Sequence, residues 1–427
     1  MIDLKNQHQK IRAEFPILDS MLGDNKLVYL DNAATTQKPQ SVIEAIAKFT
    51  KEANGTVRRG VYDLSVKSTQ EFDQARAKVK EFINAASTNE IIFTRGTTES
   101  INLVASSLLE AIKGKMSPVA TNGPLSKLNT DEELEIIISG MEHHANIVPW
   151  QINAQKHDLK TSFVGVKENG ELDLDGLYGL LKNSKQKILA ITHVSNSLGT
   201  INPIKDIIKV AHENNTIVLV DGAQAISHEE VDVQDLDADF YVFSGHKIYG
   251  PTGVGVLYGK ANLLNEMPPY HGGGEMINLV KPDSTSYAEL PFKFEAGTPA
   301  ISSVIGLGYA LDYVSSLGLE AMKEHEMNLY EMALKGIKDI EGIRIIGNAA
   351  QKTAVLSFVF DDIEAFDIGT MLNQYGIAIR TGHHCTQPLM QRYGVSSTAR
   401  ASFAFYNNEE DVDAFVEGLK KAVRMFR

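Results

Sequence analysis

Seven short runs rich in Val, Ile, Leu and Thr succeed one another between residues 91 and 258, and they limit the fold more than any other feature. They are Ile91–Thr94, Glu135–Ser139, Thr161–Val166, Lys187–Thr192, Thr216–Asp221, Asp239–Phe243 and Gly253–Tyr258. Unbroken stretches such as Ile217-Val218-Leu219-Val220 suit strands buried on both faces, as in a parallel sheet covered by helices. Most gaps can hold a crossover helix, which parallel neighbours require. The last gap, Ser244 to Thr252, is too short for one, so the seventh strand is expected to run antiparallel to the sixth. The prediction is an α/β protein built on a seven-stranded, mostly parallel mixed sheet.

After about residue 300 the pattern changes. A helix near Leu319–Ile340 leads into Gly342–Ile346, Ala354–Phe360, a helix near Phe366–Tyr375, then Ile377–Arg380 and Ala399–Phe405. A closing amphipathic helix is expected after Asn407-Asn408, with Glu409, Glu410 and Asp411 in its first turn, where the helix dipole favours acids. The expected division is a large lobe over residues 31–300 and a smaller α+β lobe over 301–427. Residues 1–30 are expected to pack on the smaller lobe. Lys113–Glu133, with Gly114, Pro118, Asn122, Gly123 and Pro124, reads as a polar surface loop.

Composition narrows the function classes. Of 427 residues, 41 are basic and 54 acidic, a net charge of −13, which argues against nucleic acid as a partner. Apolar runs fall far short of the ~20 residues that span a bilayer. Residues 1–30 carry mixed charge and no apolar signal core. The single cysteine, Cys385, rules out an intramolecular disulfide and a four-thiolate metal site, and it fits a reducing cytoplasm.

Ligands in open α/β sheets bind outside the carboxyl ends of the strands, and reactive residue types collect there. The first strand runs into Arg95-Gly96-Thr97-Thr98, either a phosphate cradle at a helix start or a plain cap. The second runs into Met141-Glu142-His143-His144. That histidine pair reads as zinc ligands, as a hydrogen-bonded surface pair, or as one imidazole lying flat on an aromatic ligand. Adjacent strand residues point to opposite faces, which disfavours zinc. The fourth strand delivers His193-Val194-Ser195-Asn196. The fifth ends at Asp221, a carboxylate costly to bury without a partner, followed by Gly222-Ala223-Gln224. The sixth delivers Ser244-Gly245-His246-Lys247. Lys247 sits among small and apolar residues, where desolvation makes an amine nucleophilic. One ligand uses all these parts: pyridoxal phosphate, with a lysine at its aldehyde, an acid at its ring nitrogen and a helix start at its phosphate. Cys385 lies in Arg380-Thr381-Gly382-His383-His384-Cys385, among groups that favour a thiolate.

Jointly, Met141–Trp150, Thr192–Thr200, Asp221–Ala225, Phe243–Gly253, Phe294–Pro299 and Arg380–Cys385 resemble the class V aminotransferase family of fold-type I pyridoxal-phosphate enzymes, from Tyr29 to the C-terminus. The likeness is to the group II, Suf-pathway cysteine desulfurases, also called selenocysteine lyases. It implies a sulfurtransferase that converts L-cysteine to L-alanine and leaves a persulfide on Cys385, supplying sulfur for iron–sulfur cluster assembly, with L-selenocysteine as a second substrate. By position it makes Lys247 the Schiff-base lysine and Asp221 the partner of the ring nitrogen. His143 stacks on the ring, and Asn196 and Gln224 stand near the substrate carboxylate and phenolic oxygen. Thr97, Thr98, Ser244 and His246 hold the phosphate. Thr298 reaches the phosphate of the neighbouring subunit, which implies a homodimer. Arg400, with Arg380 near, grips the substrate carboxylate, and no metal is called for. A SufE-like or SufU-like sulfur acceptor is implied too. The family's Asn-Val-His-Arg-Gly reads Thr56-Val57-Arg58-Arg59-Gly60 here, so Arg58 stands in place of an imidazole expected near the site. Alternatives are an aminotransferase or dedicated selenocysteine lyase on the same fold, a non-catalytic scaffold, and a zinc hydrolase using His143, His144, His383 and Cys385.

Overall fold

The computed structural model describes residues 4–113, 123–125, 134–183 and 186–427. The loop expected over 113–133 therefore lies outside the described residues, except for Lys113 and 123–125.

The seven expected strands form one sheet. They are β1 (Ile91–Thr94), β2 (Leu134–Ser139), β3 (Lys160–Val164), β4 (Gln186–Thr192), β5 (Thr216–Asp221), β6 (Phe240–Ser244) and β7 (Gly255–Gly259). Their order is β1-β7-β6-β5-β4-β2-β3. Neighbours from β6 to β3 are parallel, whereas β7 is antiparallel to both β6 and β1. The short sixth gap had required that reversal. Side chains alternate between the two faces: Ile137, Leu189, Val218 and Val220 join one core, while Ile136, Ile138, Ile188 and Leu219 join the other. Both faces being covered explains the apolar runs of the inner strands, whereas the edge strand β3 is largely exposed or half-buried. Truncating Leu219, which is fully buried, would cost about 2–5 kcal/mol.

The register aligns the carboxyl ends that matter. Thr192 pairs with Asp221, and Asp221 with Val242. Gly255, at the start of β7, pairs with Thr94 on one side and Ser244 on the other. The ends of β1 and β6 therefore stand level across one reversed strand. Glycine is required there, because a Cβ on Gly255 would lie 2.4 Å from the Gly96 Cα.

A second, antiparallel sheet follows, with β8 (Ile343–Ile346), β9 (Val355–Phe360), β10 (Arg380–Gly382) and β11 (Thr398–Ser402) in the order β8-β9-β11-β10. The single strand expected at Ile377–Arg380 is split. Ile377–Ala378 pairs in parallel with Val28–Tyr29, and Arg380–Gly382 turns into the second sheet. The helix Ile301–Leu317 packs on the helices Gln40–Glu52 and Asp63–Phe82, and its apolar side chains join the core on one face of the seven-stranded sheet. The closing helix, Glu409–Phe426, starts as expected: the Asn408 side chain accepts the Asp411 N–H, and the Asp411 carboxylate reaches back to Asn408 in a capping box. Arg12 bonds the Tyr406 carbonyl and the Asp411 carboxylate, tying the N-terminal helix to that start. No helix among the described residues is long and apolar enough to cross a membrane.

Candidate active site

The carboxyl ends of β1, β4, β5 and β6 open into a cavity of ≈ 220 Å³, closed on its far side by the second sheet. Every residue to which the resemblance gives a coenzyme, substrate or thiol role lines it except Thr298.

Lys247 closes the turn that follows β6. Its ammonium donates to the Ala33 carbonyl. Burial, reinforced by the Arg400 charge, lowers its pKa to about 7, and Asp221 and Asp31 only partly offset this. Asp221, the last residue of β5, is 4% exposed. Its Oδ1 accepts the Ala223 N–H at 2.9 Å, yet burial lifts its pKa to about 6. An amine and an acid, each held short of full compensation, thus share one cavity. Perturbed groups that share a cleft mark it as a candidate functional site.

His143 caps the turn His144–Asn146, and its Nδ1 accepts the Ala145 N–H at 3.0 Å. The neutral ring therefore carries its proton on Nε2. Burial and the nearby Lys247 charge depress its pKa to about 4, which keeps it neutral. The histidine pair sits in a turn and not on a strand, so the strand argument about opposite faces does not apply. Ser244 Oγ bonds both the main-chain N–H and the hydroxyl of Thr97 at 2.8 Å. With Thr98 and His246 this forms a polar wall at the start of the helix Thr97–Lys113, where N–H groups and the dipole suit an anion. Gln224 donates to the Ala33 carbonyl at 2.8 Å, and Asn196 to the His384 carbonyl at 2.9 Å.

From the second sheet come Arg400 and Arg380, cross-strand partners on β11 and β10. Arg400 is 2% exposed, bonds the Asn196 carbonyl at 2.8 Å, and pairs with Asp31 at 3.1 Å. Its Nε has no partner among the described residues. Cys385, half-buried at the cavity wall, lies in the loop between β10 and the helix Gln387–Arg392. His384 turns away from it to bond the Thr398 hydroxyl at 2.8 Å. The ligand atoms of His144, His383 and Cys385 instead come within 4.8 Å of one another.

Three features were not assigned from the sequence. Asp31 is the counter-ion of Arg400, and the Ala33 carbonyl receives both Lys247 and Gln224. Glu142, fully buried, accepts Asn146 Nδ2 and the Thr192 N–H at 2.7 Å each, and burial raises its pKa to about 8. A carboxylate directly before the histidine pair was the one available signal. Thr298 lies apart, beside a second cavity with Arg95, Glu99, Tyr270 and His271. Arg58 also differs from expectation. Its guanidinium turns inward to Glu295 at 2.7 Å and stacks 4.1 Å from the Phe292 ring centroid, away from the cavity.

The donor set fits pyridoxal phosphate. It offers an acid at one position, an under-compensated amine at another, hydroxyls at a helix start, and a neutral imidazole, while Ala33, Ala34, Ala145 and Ala223 leave a slot for a flat ring. Known proteins agree. Residues 28–415 match the class V aminotransferase family. Cysteine desulfurases of Dickeya dadantii and Pectobacterium carotovorum are 47% and 46% identical, over 97% and 98% of both chains respectively. The crystal structure of the Escherichia coli cysteine desulfurase CsdA, in its S-sulfonic acid form, superposes with a TM-score of 0.86 at 38% identity over 98% of each chain. The apo cysteine desulfurase of Thermococcus onnurineus superposes at 0.88 and 33%, also over 98% of each. The chain belongs to the class V aminotransferase family, within its cysteine desulfurase branch, a family of fold-type I enzymes that use pyridoxal phosphate.

Proposed function

We propose that the protein is a cysteine desulfurase that converts L-cysteine to L-alanine and retains the sulfur as a persulfide on Cys385. The observation that carries this reading is the convergence of Lys247, Asp221, Arg400 and Cys385 on one cavity. Bound pyridoxal phosphate supplies an electron sink that labilises bonds at the substrate α-carbon.

The chain's own groups do the rest. Asp221 stands at the ring nitrogen, Thr97, Thr98, Ser244 and His246 at the phosphate, and His143 and Gln224 about the ring. Arg400 and Arg380 hold the substrate carboxylate, with Asn196 beside it. The unpartnered Arg400 Nε adds a donor that this carboxylate can satisfy. Lys247, with a pKa near neutrality, is suited to move the α-proton. The Cys385 thiolate attacks the substrate sulfur. A sulfur–sulfur bond forms, the substrate carbon–sulfur bond breaks with its electron pair left on carbon, and a proton returned there completes alanine.

The reading extends to a group II enzyme of the Suf pathway. It works as a cytoplasmic homodimer, with Thr298 serving the partner's phosphate site. It passes sulfur to a SufE-like or SufU-like acceptor for iron–sulfur cluster assembly, and it accepts L-selenocysteine. The test is to mix the yellow holoenzyme with L-cysteine and measure alanine and sulfur on Cys385, with and without an acceptor. One alanine per persulfide, without added keto acid, is expected. Alanine formation that requires a keto acid would mean a transaminase.

A further inference from the structure

Cys385 is held in place from both sides by one residue of the other lobe. The His144 N–H donates to the Cys385 carbonyl at 2.7 Å, and His144 Nε2 accepts the Gln387 N–H at 3.1 Å. The loop needs such restraint, because His384 and Cys385 are consecutive non-glycine residues at φ 51° and 58°, a conformation that persists only where surroundings over-determine it. Inside the loop the Cys385 N–H donates to His383 Nδ1 at 3.0 Å, and the His383 and His144 rings lie 5.4 Å apart at 32°. His144 also follows His143 directly, so a single peptide bond joins an imidazole that lines the cavity to the residue that holds the thiol loop by hydrogen bonds.

We propose that His144 is a positioning residue for sulfur transfer: its two hydrogen bonds set where the Cys385 thiol stands relative to the substrate. His144 does not itself line the cavity. Burial and the adjacent His383 keep its pKa low, so Nε2 offers the lone pair that the Gln387 N–H needs. The same geometry disfavours a cation among His144, His383 and Cys385. Each imidazole accepts a main-chain N–H through one nitrogen, which leaves the proton on the other, and neither has a spare lone pair.

This inference rests on the desulfurase reading, and its test separates the two. Wild type, His144→Ala and His144→Gln holoenzymes are each mixed rapidly with L-cysteine. The coenzyme absorbance change and the persulfide on Cys385 are followed together. The glutamine amide oxygen lies as many bonds from Cα as Nε2 and can accept the same N–H. His144→Ala should keep the absorbance change at the wild-type rate and form persulfide up to about 10²-fold more slowly, the scale of a 1 Å misplacement. His144→Gln should recover most of that loss. Persulfide formation by His144→Ala at the wild-type rate, equal impairment of both variants, or equal slowing of the absorbance change would each overturn the assignment. Alkylation of Cys385 by iodoacetamide without substrate gives a second readout, and an unchanged rate in His144→Ala would also count against it. Absence of persulfide in the wild type would refute the desulfurase reading instead.

Discussion

Glu295 and Asp221 are both buried carboxylates of the large lobe that face cations, yet their surroundings push them in opposite directions. Glu295 accepts the two terminal guanidinium nitrogens of Arg76 at 2.8 and 2.9 Å, Arg58 at 2.7 Å, and the Phe93 N–H at 2.8 Å. Burial works to raise its pKa, but Arg76, Arg58 and that N–H outweigh it and hold it below the usual carboxylate range. Asp221 has one main-chain N–H and the charge of Lys247, and burial wins. In the first cluster both Glu295 oxygens are bonded, and the carboxylate holds β1 to the 292–299 segment. The second accepts a single main-chain N–H, and its carboxylate lines the cavity. For these two carboxylates, the degree of compensation separates the one that ties segments together from the one that lines the cavity.

The sharpest way to break this comparison is to remove Lys247. Lys247→Ala should lose turnover by at least ~10³-fold and should lack the yellow, borohydride-sensitive linkage, as read by absorbance and mass. Cys385→Ala should equal that loss in persulfide formation while keeping the cysteine-induced absorbance change in rapid mixing. A Cys385 variant that desulfurated cysteine at full rate would show that the thiol is not the nucleophile.

Next in size is Glu295→Gln, which strands Arg76 and Arg58. It should cost about 3–5 kcal/mol in urea unfolding, the penalty for breaking a buried pair. Asp221→Asn should have the opposite sign in the coenzyme-free protein. A carboxyl whose pKa is raised in the fold contributes stability below its unfolded value near 4, and that stability is lost as pH rises through about 6. Replacing it should therefore stabilise the coenzyme-free protein at pH 7–8 by roughly 1–3 kcal/mol and do little at pH 4. Glu295, lowered in the fold, stabilises above pH 4.5 and loses its contribution as pH falls through its folded value. Melting curves of the two variants against pH should diverge, and parallel curves would erase the distinction. Smallest is Arg58→His, expected to cost about 1 kcal/mol or less, because Arg76 still pairs Glu295 and two buried guanidinium nitrogens without a partner among the described residues are removed with Arg58. A change in persulfide rate without a change in stability would return Arg58 to the active site.

Much of the architecture was legible because it follows from local pattern. β1 and β5 match their expected bounds to the residue, since each is an apolar run ended by a polar residue. The reversal of β7 was forced by a gap too short for a crossover. Most of the cavity was legible too, because strand ends converge by topology. Less accessible were partners set by packing. The break at Ile379, which splits one apolar run between two sheets, depends on Val28–Tyr29 arriving from the far end of the chain. The inward turn of Arg58 depends on Glu295, far away in sequence.

Periodicity, gap length and residue chemistry at strand ends determined by themselves the sheet, its one reversed strand and the residue types at its edge, because these need only neighbours along the chain. Which charges are satisfied and which are left wanting was decided only by the tertiary structure. So were Asp31 against Arg400 and His144 across the Cys385 loop. The physical reason is that hydrogen bonds and desolvation act over a few ångströms in space, between residues the sequence keeps hundreds of positions apart.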